Sequence, residues 1–455
     1  MKRDLRKHSK SYLYGNCICF LMLFSVRFLR KEINMTTLKK VAYSFGNFPI
    51  GIMLEAFGTY VMFFYIDVLK VDPSFISLAF VIHGIIFAIF NPLIGYVSDK
   101  TETRWGRRRP YIAFGIVPLA LVFYVIWSPF VSKEFLPAYF LTVIILFDFL
   151  YVLVGLNLAA LFPEMFPSLE ERAQVSAYRQ MFGILGSIIG VVLPPIIYSR
   201  YGWNVLGIIF GTLIAIGFFI AFYGCEEKKN IKIPSIPVLT AFKYVFLNKA
   251  FLPFVVGGFF AKFLLTSVPA AIPFFTKYVL RIPEKEVSLL LGSIFVTAIP
   301  MMLVWSKITK KFGSRKAMFL SIGFLILVFP AYFFVNTFVE TLIVSVIFGA
   351  LLAGVVMLLD VMLAEVIDED TKNTGMKREG MYTGVFGFII RFGYSLQGIV
   401  IGGILKLSGY IPNVLEQPSS AILGIRFLIS GVPVIALLIA FISFWFYPIG
   451  RKENA

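Results

Sequence analysis

Histidine and cysteine are nearly missing from this chain of 455 residues, which has two of the first and three of the second. His8 and His83 stand far apart, Cys17 and Cys19 are separated by one residue, and Cys225 is alone. Neither a disulfide framework nor a paired zinc motif is available. Charge is scarce too, at 15% of residues, against roughly 25% in a soluble domain. That shortage excludes a water-soluble globular protein. Also missing are an HExxH pair, a phosphate-cradling glycine loop and a nucleophile–base string. The chain is not expected to be an enzyme or to carry a cofactor.

What is present is apolar: 59% of residues are hydrophobic and the mean hydropathy is +0.86. Phe dominates the aromatics at 51, against Tyr 21 and Trp 5. Apolar runs of ~20 residues fit membrane helices, whereas barrel strands would be about 10 residues long and alternate in polarity. The expected fold class is an all-α integral membrane protein with twelve transmembrane helices in a lipid bilayer. The runs fall at 42–67, 75–98, 110–129, 137–163, 174–198, 204–224, 250–279, 286–307, 315–335, 339–367, 380–408 and 420–447. Three readings compete for residues 1–34: a signal-like leader, an interfacial amphipathic segment, or an N-terminal extension outside the working protein. Met35, followed by Thr-Thr-Leu-Lys-Lys, makes the more natural start.

Lys and Arg number 42 against 25 Asp and Glu, a net +17. Such an excess first suggests an acidic partner, but its distribution reads as topology, and no nucleic-acid partner is expected. Most basic residues fall on the side that holds both termini and the loops after spans 2, 4, 6, 8 and 10. The other side carries only Lys70, Lys133, Arg200, Lys277, Arg281, Lys285, Lys406 and Arg426. Both termini are therefore expected in the cytoplasm, with the protein in the plasma membrane. Arg179, Lys262 and Arg391 lie inside spans.

The polar segment 226–249 separates a first bundle, 35–225, from a second, 250–455. The halves share marks roughly 200 residues apart: Gly106 and Gly313 in basic loops, Glu164 and Glu365 at the ends of spans 4 and 10, Arg179 and Arg391 in spans 5 and 11. This is the pattern of a duplicated six-helix unit, which places a substrate site between two halves that rock against each other.

The most specific string runs from Asp99 through Arg104-Trp-Gly106-Arg107-Arg108-Arg109 to Pro110. Gly106 permits a sharp turn, Pro110 suits a helix start, and the arginines offer forked donors to carboxylates. This loop resembles the signature of the major facilitator superfamily (MFS), and closely that of the glycoside-pentoside-hexuronide:cation symporters typified by the melibiose carrier. The stretch around Glu365-Val-Ile-Asp368 with Lys377-Arg378-Glu379, and Pro163-Glu164 with Glu171-Arg172, are similar to two further loops of that family. Plant-type sucrose transporters share a loop like the first.

The resemblance implies an MFS-type transporter working by alternating access, as a monomer, on a sugar or glycoside-like small-molecule substrate. Tyr151, Arg179 and Arg391 match residues that the family places near its sugar and cation. The loop cluster (Asp99, Arg104, Gly106, Arg107, Arg108, Arg109), with Glu164 and Glu365, would latch the cytoplasmic side. The family's helix-2 aspartates align with Phe87 and Asn91, and its helix-4 and helix-1 aspartates with Gly155 and Gly51, so its sodium site is largely missing.

A charge at mid-membrane is costly and faces a cavity or a partner. Glu55, Asp148, Lys262 and Asp360 are the further candidates, Lys262 for substrate and the three carboxylates for ion coupling. Each has a structural alternative: a static pair of Lys262 with Glu55 or Asp360, a helix-to-helix bond for Asp148, a packed His83. One carboxylate suffices to carry a proton, whereas sodium wants several oxygens, so the expected coupling ion is H+ rather than Na+. A lysolipid or other amphipathic solute, or uncoupled facilitation, is the alternative.

Overall fold

Apolar segments this long can satisfy their backbone groups in lipid only by closing into helices. The computed structural model describes residues 35–166, 168–227, 245–375 and 378–450. Among them twelve helices are long and apolar enough to cross a membrane: α1 (Thr37–Val68), α2 (Pro73–Lys100), α3 (Arg109–Trp127), α4 (Lys133–Met165), α5 (Glu170–Tyr201), α6 (Trp203–Gly224), α7 (Phe251–Leu280), α8 (Glu284–Phe312), α9 (Ser314–Phe334), α10 (Phe338–Thr374), α11 (Gly380–Leu407) and α12 (Ser419–Trp445). The extension 1–34 and most of the 226–249 linker lie outside the described residues.

Several helices outrun their hydrophobic stretch, because hydropathy marks the lipid crossing and not the helix. α10 continues past Glu365 through Asp368 and Asp370 until Gly375 ends it in the left-handed conformation at φ 69°. Its start is fixed by a capping box in which Thr337 and Glu340 serve each other's backbone N–H. At the start of α2, the Asp72 carboxylate accepts from the N–H of Ser74 at 2.7 Å.

The first six spans pack on one another and the last six do likewise. Contacts between the halves run through α2 with α11, α5 with α8 and α1 with α7. Within the first half, α1 and α5 approach until backbones nearly touch. A Cβ on Gly186 would lie 2.1 Å from the carbonyl oxygen of Phe48, the small-residue contact that substitutes for the hydrophobic effect between membrane helices.

Hydrogen bonds between the halves gather toward one face. Gln397 Nε2 donates to Gly58 O at 2.9 Å, Ser395 Oγ to Phe80 O at 2.9 Å, and Ser77 Oγ to Gly398 O at 2.9 Å. These lie between mid-membrane and the face that carries the α1–α2 and α7–α8 loops, hereafter the opposite face. The face with the basic 2–3 and 8–9 loops is the basic face. On it, Cys225 is buried, its Sγ donates to Ala221 O at 3.2 Å, and burial pushes its thiol up to about 12.

Substituting Gly186→Val forces α1 and α5 apart and is expected to cost about 1–3 kcal/mol. Thermal unfolding in detergent should show a clear fall, whereas Gly323→Val, where an added Cβ meets nothing within 4 Å, should leave the transition nearly unchanged.

Candidate functional site

Near mid-membrane α1, α2 and α4 of the first half meet α11 of the second around a narrow pocket of about 20 Å³. Leu54 and Phe57 of α1, His83 and Phe87 of α2, Phe147, Asp148 and Tyr151 of α4, and Arg391 and Tyr394 of α11 line it. Arg391 donates from Nη2 to the Tyr151 hydroxyl at 3.2 Å, a bond from one half to the other. That leaves the tyrosine O–H free to donate and most of the guanidinium's five N–H groups free as well. The guanidinium carbon lies 4.3 Å from the Phe87 ring centroid and 5.1 Å from that of Tyr151, so aromatic faces solvate the charge.

On the same wall His83 Nδ1 lies 2.5 Å from Asp148 Oδ2. Both groups are buried, Asp148 at 1% exposure. Rings enclose the imidazole: Phe57 at 6.0 Å, Phe80 at 5.8 Å and Phe87 at 6.4 Å between centroids. A buried carboxylate next to a histidine and in the field of Arg391 can exchange a proton or accept from a bound hydroxyl. Chemically, the pocket offers flat apolar walls, a cation, a phenol and an acid–base pair.

Of the predicted substrate residues, Tyr151 and Arg391 come together with Asp148. Arg179 does not join them. Its Nε donates to Asn47 Oδ1 at 3.2 Å, and its guanidinium sits 5.0 Å from the Phe162 ring, all within the first half. Lys262 of α7 stands in the field of Glu55 on one side and of Asp360 on the other, without closing a direct ion pair to either. Glu55 has Ser187 of α5 beside it and shares the field of Tyr394. Asp360 is exposed.

The loop cluster forms, but its bonds tie each half to itself. Arg107 Nη2 donates to Glu164 at 3.1 Å, and Arg108 Nη2 reaches Asp99 at 2.7 Å and Glu164 at 3.4 Å. The guanidinium of Arg109 packs 5.1 Å from the Phe222 ring, and Arg104 is exposed. In the second half, Glu365 accepts from Ser314 Oγ at 2.7 Å and from the Tyr447 hydroxyl at 3.2 Å. The expected latch across the halves is not formed by these groups in this conformation.

Sequence reasoning missed Glu227. Its carboxylate accepts from the backbone N–H groups of Arg107, Arg108 and Arg109 at 2.9, 3.0 and 3.5 Å, capping α3, whose first residues have no side-chain cap of their own. An anion at a helix N-terminus is doubly favoured by the orphan N–H groups and the dipole. Gly106, at φ 105°, makes room for it, since a Cβ there would lie 2.2 Å from Glu227 Oε2. The available signal was an acidic pair, Glu226-Glu227, on an otherwise basic face. His83, expected as a packed side chain, instead pairs with Asp148 on the pocket wall, and Asp67 was passed over because a carboxylate at a span's end looks like ordinary loop.

Two six-helix halves around a central pocket that keeps paired charges define a transporter of the major facilitator type. The chain belongs to the MFS/sugar transport protein family, whose model matches residues 42–451. It is 27% identical to the isoprimeverose transporter of Lactiplantibacillus pentosus, over 91% of this chain and 89% of that protein. It is 26% identical to the glucuronide carrier protein homolog of Escherichia coli, over 91% and 93%. The sodium-dependent lysophosphatidylcholine symporter 1 of Gallus gallus is 25% identical, over 92% and 88%. Among solved structures, the nucleoside transporter NupG superposes with a TM-score of 0.66 at 16% identity, covering 91% of this chain and 100% of that one. The protein is thus a multi-pass membrane transporter and not an enzyme.

Replacing Glu227 by Ala leaves three part-buried N–H groups at and just before the start of α3 unserved, at a cost of about 1 kcal/mol. A lowered unfolding temperature should report it, with Glu226→Ala nearly silent because its pair with Lys39 is exposed.

Proposed function

We propose that the protein is a proton-coupled symporter of a sugar or glycoside, acting as a monomer in the plasma membrane with its basic face and both termini in the cytoplasm. The halves would be 35–225 and 250–455, joined by the 226–249 linker. One observation carries the substrate reading: Arg391, Tyr151 and Asp148 converge on a single pocket walled by Phe57, Phe87, Phe147 and Tyr394. Aromatic faces accept the C–H face of a pyranose, while a few fixed polar groups read its hydroxyls. The Arg391 fork also suits the carboxylate of an acidic sugar. The names of the bacterial relatives, an isoprimeverose transporter and a glucuronide carrier homolog, point the same way.

The proton reading rests on the buried Asp148. The charged and titratable groups around it are His83 of α2, Tyr151 of α4, and Arg391 and Tyr394 of α11; α1 contributes only Leu54 and Phe57 to this wall. Its partner is a nitrogen base, and a single acid–base pair can load and release a proton where a bare cation would need several oxygens. Glu55 and Asp360, each in the field of Lys262, would serve as secondary charges outside the pocket wall, and Arg179 supports α1 through Asn47.

Proteoliposome uptake tests both parts. Isoprimeverose, a methyl glucuronide and lysophosphatidylcholine are offered with an imposed pH gradient, with a sodium gradient, and with neither. Uptake of a glycoside driven by external acid is expected. Asp148→Asn should abolish accumulation against a gradient while retaining counterflow exchange, and Arg391→Gln should lower both by tenfold or more, the scale of a lost charged hydrogen bond. Transport of the lysolipid alone would overturn the sugar reading. Accumulation driven by sodium, or undiminished proton-driven accumulation in Asp148→Asn, would overturn the proton reading.

A further inference from the structure

Asp67, at the end of α1 on the opposite face, is fully buried. Its partners all come from the second half. Oδ2 accepts from Lys277 Nζ at 2.6 Å. Oδ1 accepts from the hydroxyl of Tyr278, from that of Tyr410 at 2.5 Å, and from the backbone N–H of Asn413 at 2.9 Å. Lys277 donates to Asn413 Oδ1 as well, at 3.0 Å. Beneath the cluster Phe63 and Phe274 meet edge to face across the halves, with centroids 5.3 Å apart, and Lys277 Nζ lies 5.6 Å from the Phe63 ring centroid.

Two further observations set this cluster apart from an ordinary ion pair. Asp67 and Lys277 are 210 residues apart, close to the spacing that separates the other marks of the internal repeat. Each lies in a five-residue π turn that ends its helix, Phe64–Val68 on α1 and Thr276–Leu280 on α7. The two turns are equivalent places in the halves, with Asp67 fourth in its turn and Lys277 second in its own, and they meet where α1 and α7 cross. Two copies of one charge there would repel; an acid facing a base makes the contact attractive.

We propose that Asp67 is the centre of a lock between the halves, which holds the opposite face shut and must be broken for that face to open. Four donors converge on this carboxylate, three on Oδ1 and one, the Lys277 ammonium, on Oδ2, so the closed state gives the buried charge a counter-charge and hydrogen bonds on both oxygens. With one partner removed, the rest are left buried without a counter-charge, and the closed face loses its advantage over an open one in which water serves both sides. On the basic face the Glu164 and Glu365 clusters stay within their own halves, so the lock biases the molecule toward one conformation. Asp67 acts by positioning the halves and touches no substrate. The inference does not depend on which solute or ion is carried.

The test uses spin-label distances in the full chain, with Cys17, Cys19 and Cys225 changed to serine. Labels at Glu134→Cys, in the exposed first turn of α4, and Glu416→Cys, in the exposed loop before α12, report the opposite face from opposite halves. Labels at Glu102→Cys and Lys311→Cys, also exposed, report the basic face. Asp67→Asn, Lys277→Gln and Tyr410→Phe should each lengthen the first distance and shorten the second, with the ratio of open to closed molecules rising by roughly tenfold for the charge changes. Lys406→Gln, which removes an exposed pair with Asp72, should move neither. A merely structural role would lower the unfolding temperature and leave the distances alone. If Asp67→Asn fails to fold, the two donor variants carry the test, and distributions that superimpose on the unsubstituted protein in every folded variant overturn the lock.

Discussion

A charge placed within the hydrocarbon layer has to bring its own partner or face a cavity, and the rest of this architecture follows from that requirement. The lipid side of the helices is apolar, with Phe114 at 72% and Leu303 at 71% exposure. Asp148, Arg391 and Arg179, within the spans, turn toward neighbouring helices and fix which helix faces meet. Asp148 brings α4 to α2 through His83, Arg391 brings α11 to α4 through Tyr151, and Arg179 joins α5 to α1 through Asn47. In a bilayer, where apolar contact between helices gains little over contact with lipid, such bonds and close glycine contacts supply the specificity of packing.

The duplication gives each half the same frame and different chemistry. Gly106 and Gly313 both adopt positive φ, at 105° and 83°, and both precede a helix start that leans on an acidic residue of α4 or α10. In the first half that residue, Glu164, receives two arginines; in the second, Glu365 receives a serine and a tyrosine. One loop is an ionic clamp reinforced by Glu227, and in its counterpart the acid accepts from two hydroxyls. The frame survives the change because the turn needs only the glycine, while the partner of the acid is free to vary.

The sequence made the architecture legible because membrane helices announce themselves by length and apolarity. The doubled motif around Gly106 and Gly313 exposed the two halves in the same way. Helix ends were less legible: α10 runs on to Thr374 in polar sequence, where hydropathy carries no signal and only the Gly375 cap marks the stop. At the site, Tyr151 and Arg391 were reachable through resemblance, and Asp148 through its cost of burial. Their pairing with one another was not, since it depends on the rotation of α4 and α11 about their axes. Glu227 and Asp67 escaped for a different reason. Each lies at a span's edge, where a carboxylate is unremarkable until the fold delivers three backbone N–H groups to one and four donors to the other.

Under the proposed function, Arg179 and Arg391 would separate a supporting charge from a working one. They occupy equivalent places in the repeat, and both are stacked on aromatic rings. Arg179 spends its hydrogen bond inside its own half, on Asn47. Arg391 spends its bond across the interface, on Tyr151. A solute that takes hydrogen bonds from Arg391 and Tyr151 therefore bonds to both halves at once and competes with the bond that joins them directly. Its binding energy differs between arrangements of the halves, which is the condition a ligand must meet to shift a conformational equilibrium. Bonding confined to Arg179 and Asn47 would leave that equilibrium where it was, however tight the contact.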